Sequence, residues 1–186
     1  GISRDSYEKT YSGTAKYKLF KQSDRVPVNV SLYGSADVNL QLKKSVYPGL
    51  KTSDRFSYTA QILASRSFSE KLSLEVAPIF VRHNLQDLNF TKTLTHNQLL
   101  FGMGGRYKLS KRLSLNMDYA YNFSKNKNSL YKNPLTIGVD IETGGHVFQL
   151  LFTNSRASND SSFLTETTGD WSKGEISFGF NIVRVF

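Results

Sequence analysis

The feature that most restricts the fold of this chain is an alternation of apolar and polar residues with a period of two. Between Leu113 and Phe123, leucine, methionine, tyrosine and phenylalanine occupy every second position, and mainly serine, asparagine and aspartate stand between them. This period is typical of a β-strand with one apolar face. It recurs at 56–65, 72–77, 99–109 and 175–186. Further strands are predicted near Thr10–Lys21, Val28–Leu42, Pro134–Thr143 and His146–Asn154, which gives about nine strands.

The connections between these strands alternate in length. Short joints are predicted at Glu70-Lys71, Lys111-Arg112, Gly144-Gly145 and Gln22–Pro27. Long ones are predicted at Lys43–Asp54, Gln86–Asn97, Lys125–Asn133 and Arg156–Lys173. Outer-membrane barrels have short periplasmic turns and longer extracellular loops. The chain is therefore predicted to be all-β, an antiparallel up-and-down transmembrane β-barrel in the bacterial outer membrane, with a periplasmic C-terminus and extracellular long loops.

The direction of the apolar face separates a membrane barrel from a soluble one, in which apolar side chains point inward. The chain is polar, with a mean hydropathy of −0.38, yet it contains 13 Phe and 10 Tyr. Aromatic residues concentrate near strand ends, as at Phe68, Tyr107 and Tyr121, and the opposite positions are rich in Gly and Ser. Both observations favour a lipid-facing apolar surface with aromatic girdles.

The polar positions of the strands carry charges of both signs, and we predict that these charges face the lumen. They are Lys16, Lys18, Glu75, Arg106, Lys108, Asp118, Asp140 and Glu142. Such a mixture is compatible with paired charges that hold strands in register and with a selective pore. Because a barrel of eight to ten strands is filled by its own side chains, we favour a structural or accessory component that docks partner proteins. The alternative is a small porin-like channel for small solutes or anions.

The sequence does not predict a metal site, an enzyme active site or a nucleic-acid interface. Cysteine is absent, and His83, His96 and His146 are scattered without the spacing of a metal site. We expect no catalytic residues, cofactor or metal, and the chain is predicted not to be an enzyme. The net charge of +9 does not indicate nucleic-acid binding, because the aromatic residues follow the strand period and no binding module is recognisable.

Two blocks of sequence carry a closer resemblance. Residues 133–149 and 179–186 resemble the C-terminal part of a Bacteroidota outer-membrane β-barrel family catalogued as domain of unknown function 5777. The resemblance implies an outer-membrane barrel of a Gram-negative cell and supplies no reaction or functional residues. The alternating Phe180, Ile182 and terminal Phe186 resemble the signal that barrel-assembly machinery recognises. The expected partners are therefore outer-membrane lipid, that machinery during insertion, and other envelope proteins in a complex.

The chain is expected to form a single outer-membrane β-barrel domain over residues 1–186. If the C-terminus is periplasmic, counting back through the alternating connections predicts that the strand from Thr10 descends, which means that it runs from the cell surface to the periplasm. Since bacterial single-chain barrels have an even strand number, an ascending strand is expected before it, and Gly1–Arg4 is interpreted as its stub. We therefore expect the chain to be the C-terminal part of a larger barrel that has one or more strands upstream.

Overall fold

The computed structural model describes residues 1–6, 9–85, 96–125 and 129–184. These residues contain ten β-strands, one short α-helix and two 3-10 helices. The strands are β1 (Ile2–Asp5), β2 (Thr10–Phe20), β3 (Asn29–Asn39), β4 (Phe56–Ser67), β5 (Leu72–His83), β6 (Asn97–Lys108), β7 (Leu113–Asn122), β8 (Leu135–Glu142), β9 (His146–Thr153) and β10 (Ser177–Arg184). Helix α1 spans Asp160–Thr165, and the 3-10 helices span Thr52–Arg55 and Trp171–Lys173.

All ten strands lie in one sheet, and each strand is antiparallel to the next along the chain. The predicted all-β, up-and-down architecture is confirmed, and the nine predicted strands are present as β2 to β10. The segment interpreted as a stub forms β1, whose Ile2 pairs with Gly13 of β2. Within the described residues β1 and β10 are the edges of the sheet and do not pair with each other.

Burial in this sheet is the reverse of that in a soluble protein. One face carries buried polar residues, among them Asp37, Thr59, Gln98 and Asn122, and we call it the inner face. The other face carries exposed apolar residues, including Ile62, Met103, Tyr121 and Phe178. A soluble barrel would bury the apolar face. The distribution instead fits a sheet whose outer face meets lipid and whose inner face encloses polar groups.

The outer face also has the dimensions of a membrane-spanning band. Tyr58 of β4 and Phe68, just after that strand, are both exposed. At about 3.3 Å per residue and a tilt of about 40°, the ten residues that separate them span about 25 Å along the membrane normal. That is the height of the apolar band between the aromatic girdles of outer-membrane barrels.

Connection lengths at the two ends of the sheet follow the predicted pattern with one exception. At the turn end, residues 21–28, 68–71, 109–112 and 143–145 connect the strands. At the loop end, long connections follow β3, β5, β7 and β9. The exception is the connection from β1 to β2, which has only four residues although it lies at the loop end. Of the predicted long connections, residues 86–95 and 126–128 lie outside the described residues.

None of the helices in the part of the chain that the structure describes has both the length and the apolar character needed to span a membrane.

Candidate functional site

The connection between β9 and β10, residues 154–176, does not extend away from the sheet. We call it the inner segment, because its helix α1 contacts β3, β4, β5 and β7 on the inner face. Four strand spacings separate β3 from β7, about 19 Å along a flat sheet, whereas a six-residue helix is about 9 Å long. The sheet must therefore curve around α1. The sequence predicts a long connection at Arg156–Lys173, and the structure contains it; its side of the membrane stays a prediction, and the structure adds that α1 packs against the inner face.

Local sequence explains why α1 forms and where it begins. Asn159 is the N-cap residue, and its side chain accepts a hydrogen bond from the backbone N–H of Ser162 at 3.0 Å. Asp160 adds a negative charge in the first turn, where it interacts favourably with the helix dipole. The Thr165 and Thr167 hydroxyls donate to carbonyl oxygens four residues earlier, at 2.7 and 2.8 Å. These bonds satisfy polar groups of a short helix that lies away from solvent.

An apolar cluster holds one side of α1 against the sheet. Leu164 is 6% exposed and packs with a group of buried residues on β5, β6 and β7, and Phe163 and Leu63 flank the group. The group consists of Ala77, Ile79, Val81, Leu100 and Ala120. These residues occupy inner-face positions that are polar elsewhere in the sheet. Their burial is the hydrophobic contribution to docking of the inner segment.

A buried carboxylate of β1 holds the segment just before α1. Asp5 is buried, and its Oδ2 accepts hydrogen bonds from the backbone N–H of Ser158 at 2.7 Å and of Asn159 at 3.4 Å. The side-chain amide of Asn159 donates to the same oxygen at 3.2 Å. Hydrogen bonds to a charged acceptor are stronger than those between neutral groups. Asp5 thus ties the first strand to a segment near the other end of the chain.

Two residues of β3 hold the first turn of α1. The Tyr33 hydroxyl donates to the Asp160 carboxylate, and Asp37 accepts from the backbone N–H of Ser161 at 3.3 Å. Burial raises the pKa of Asp160 above its ordinary value, and the hydrogen bond from Tyr33 opposes that shift. Asp37 is 2% exposed, and its second oxygen has no hydrogen-bond partner among the described residues.

A histidine of β5 contacts the end of α1. His83 is buried, with its Nδ1 2.9 Å from Ser57 Oγ and its Nε2 2.8 Å from Thr165 Oγ1. Because the Thr165 hydroxyl donates to Ser161 O, it accepts from the His83 Nε2–H. Ser57, His83 and Thr165 therefore form one chain of hydrogen bonds that joins β4 and β5 to the end of α1.

The C-terminal half of the inner segment is bound to β8 and to the connection before it. Lys132 Nζ lies 3.3 Å from Asp170 Oδ2, and the Trp171 indole N–H donates to Leu135 O at 3.1 Å. Gly169 approaches backbone so closely that an added Cβ would lie 2.6 Å from Glu175 O. Only glycine fits this position without displacement of the backbone. Together with Asp5, these contacts place the inner segment across the sheet from β1 to β8.

The predicted lumen charges lie between the inner segment and the turn end. Arg106 Nη2 lies 2.8 Å from Glu142 Oε1 and 3.9 Å from Asp140 Oδ2, and Gln149 donates to Asp140 at 3.0 Å. Arg106 of β6 therefore bridges across β7 to β8, and Gln149 of β9 links to the neighbouring strand β8. A cavity of about 670 Å³ lies beside Arg106 and Asp140, with Phe163 at its border.

The other predicted charges are less closely paired. Glu75 and Asp118 lie on either side of Gly104 in one row across β5, β6 and β7, and both border the 670 Å³ cavity. Lys16 borders a second cavity of about 300 Å³ together with Asp160. Lys18 and Lys108 are exposed near the turn end. The structure thus brings Arg106, Asp140 and Glu142 together and leaves the remaining five charges outside that network.

The residues of the predicted assembly signal lie at the last strand. Phe180 and Ile182 of β10 are exposed on the outer face. Phe186 lies outside the described residues. Their recognition by assembly machinery stays a prediction.

Comparison with known families agrees with the curved sheet and its apolar outer face. Over residues 1–186 the chain matches the family described as membrane bound beta barrel domain (DUF5777). The chain belongs to this family. The resemblance found at residues 133–149 and 179–186 is thereby confirmed, and a membrane-bound β-barrel domain is established. No curated protein and no solved structure matches the chain significantly.

For this member of the DUF5777 family, sequence reasoning does not find the residues that hold the inner segment. Asp5, Asp37 and His83 occupy inner-face positions, but nothing in their spacing indicates a shared contact. One signal is present in β5, where residues 76–81 are apolar on both faces and thus imply an apolar contact inside the barrel. Among the described residues, no group of three His, Asp or Glu side chains is arranged to hold a metal ion.

Proposed function

We propose that this chain is an outer-membrane barrel with an interior closed by the inner segment, and that it is a structural or accessory component that docks other envelope proteins. The observation that supports the proposal is the set of contacts between residues 154–176 and strands from β1 to β8. Asp5 of β1 accepts a hydrogen bond from the segment before α1. Leu164 of α1 packs against residues of β5, β6 and β7, and the Trp171 indole donates to the backbone of β8. A segment held on several sides blocks solute movement. The proposal includes no catalytic step.

The outer-membrane location and orientation belong to the same proposal. Short turns at one end and long connections at the other are typical of outer-membrane barrels, with the turns in the periplasm. Phe180 and Ile182 on the outer face of β10, followed by Phe186, support recognition by barrel-assembly machinery. Deletion of Phe186 should lower the amount of folded, heat-modifiable protein in the membrane. Normal levels of folded protein in the deletion strain would count against this role.

A small channel is the second candidate, and the cavity beside Arg106 favours it. About 670 Å³ of space lies between the inner segment and the turn end, bordered by Glu75, Arg106, Asp118 and Asp140. Charged side chains around such a space select ions by sign. In this alternative, movement of the inner segment away from Leu100 and Ala120 would connect the cavity with the loop end.

Conductance in a planar bilayer separates the two candidates. The wild-type protein should be silent. A variant in which a short Gly-Ser linker replaces residues 157–168 should conduct, because Asn159, Asp160 and Leu164 no longer occupy the interior. A matched control replaces residues 43–49 of the β3–β4 connection in the same way and should stay silent. Steady, ion-selective openings of the wild-type protein would refute the closed-barrel proposal and favour the channel.

Docking of a partner needs a separate test. Val46 and Leu130 are apolar, highly exposed residues of the long connections, and they mark the surface on which we expect a partner. A photo-crosslinking residue at either position should give a discrete protein adduct in intact cells. The same residue at Phe178, on the lipid-facing side, is the control and should give none. Absence of adducts at both loop positions would contradict docking at this end.

A further inference from the structure

The turn end of the sheet carries a group of exposed cations that the inner segment does not use. We call it the basic turn cluster; it comprises Lys21, Arg25, Arg66, Lys71, Lys111 and Arg112. Five of these residues lie in the connections β2–β3, β4–β5 and β6–β7, and Arg66 lies at the end of β4. Only Asp24 and Glu70 are acidic in the same connections. The turn end is therefore strongly positive.

The cluster is not neutralised by the protein itself. No member forms a salt bridge within 4.0 Å in the described ranges, whereas Arg106 and Lys132 do. Glu142, at the turn end of β8, is already paired with Arg106 at 2.8 Å. Exposed cations at one end of the sheet repel each other, and a bound anion reduces that repulsion.

Arg66 shows which kind of anion fits. It stands on the outer face, in the same alternation as the lipid-facing Ile62, and its guanidinium lies 5.1 Å from the centroid of the Phe68 ring. Phe20, Phe68 and Tyr107 are exposed at the same end of the sheet. Aromatic residues of this kind lie at the headgroup level of a bilayer, and an Arg beside them extends towards lipid phosphates. A soluble acidic protein would not reach the lipid-facing side of β4.

We propose that the basic turn cluster binds the phosphate groups of anionic phospholipids in the leaflet that surrounds the turn end. Arg66 contacts the phosphate from the side of the barrel, and Lys71, Lys111 and Arg112 contact it from the turns. The three connections lie two strands apart, about 10 Å, so the cations are distributed along the sheet edge and do not form a single pocket. The cluster then enriches anionic lipids over neutral ones in the layer of lipid that surrounds the barrel.

Native mass spectrometry of the folded protein in mixed micelles tests the proposal. With equal amounts of phosphatidylglycerol and phosphatidylcholine, wild-type protein should retain phosphatidylglycerol with a preference of at least about fivefold, since each cation near an anionic surface favours binding by about 1 kcal/mol. The preference should vanish at about 1 M salt, where the screening length is about 3 Å. The turn variant, which should lose the preference at low salt, is R66Q/K71Q/K111Q/R112Q.

A control with the same change in net charge shows whether position matters. The loop variant, which should keep the wild-type preference, is K43Q/K44Q/R156Q/K173Q. Heat-modifiability confirms that each variant is folded. The proposal is overturned if the turn variant retains phosphatidylglycerol as the wild type does, or if the loop variant loses as much preference as the turn variant. A wild type that prefers neither lipid but binds poly-glutamate through the cluster would also overturn it, in favour of an acidic protein partner.

Discussion

Replacement of Leu164 by alanine should release the inner segment from the sheet without unfolding the strands. Leu164 is 6% exposed and contacts Ile79, Val81 and Leu100, which are themselves buried. Leu→Ala substitutions in buried clusters cost about 2–5 kcal/mol. Because Phe163 packs against the cluster and can partly fill the space, we expect about 2.5–3 kcal/mol. That energy increases the undocked population about 100-fold.

Hydrogen exchange measured for individual amides detects this change. Backbone N–H groups of Ser162, Phe163 and Glu166 are hydrogen-bonded in α1 and should exchange about 100-fold faster in the variant, because exchange follows the opening equilibrium. Amides in the middle of β5 and β6 should exchange as in the wild type. The matched control is Leu130→Ala, a substitution of a leucine that is 76% exposed, which should change neither set.

Two results would refute the reasoning. If the α1 amides of the Leu164→Ala variant exchange at wild-type rates, the apolar cluster does not hold the inner segment. If strand amides accelerate as much as those of α1, the segment is part of one cooperative unit with the sheet and does not dock onto it separately.

Three further predictions concern other contacts. Asp5→Ala leaves buried N–H donors without an acceptor and should weaken docking by about 1–3 kcal/mol in the same exchange assay, with partial rescue by Asp5→Asn. For Arg106 and Glu142, both partly exposed, a double-mutant cycle on thermal unfolding should give a coupling of about 1 kcal/mol, and zero coupling would contradict the pairing. Burial raises the pKa of Glu166, so the docked state favours the protonated carboxyl; docking should weaken as pH rises from the ordinary glutamate range through the raised pKa. Glu166→Gln should therefore strengthen docking at pH 8 and flatten its dependence on pH, and a pH dependence equal to that of the wild type would contradict this.

The strands could be predicted from the sequence because each one carries its signal locally. In β7 the alternation from Leu113 to Tyr121 specifies both the strand and the face that meets lipid. Tight turns such as Gly144-Gly145 mark the hairpins, and Gly144 has the positive φ of 74° that favours glycine. Pairing of successive strands then follows without long-range information.

The inner segment could not be predicted in the same way. Its position depends on contacts between residues far apart in sequence, such as Tyr33 with Asp160 and His83 with Thr165. A polar loop that binds to polar inner-face residues has the same composition as a loop exposed to water. Only the apolar inner positions Ile79 and Val81 distinguish the two cases, and their partner Leu164 has no pattern of its own.

The bond between Asp5 and Asn159 also bears on the order in which the protein folds. Each hairpin of the sheet joins residues close in sequence and forms early, whereas this contact closes a loop of 154 residues. Asp5 and Asn159 meet only when the curved sheet is already in place between them. Docking of α1 is therefore expected to be the last step, and protection of the Asn159 amide during refolding would report that the strands have assembled.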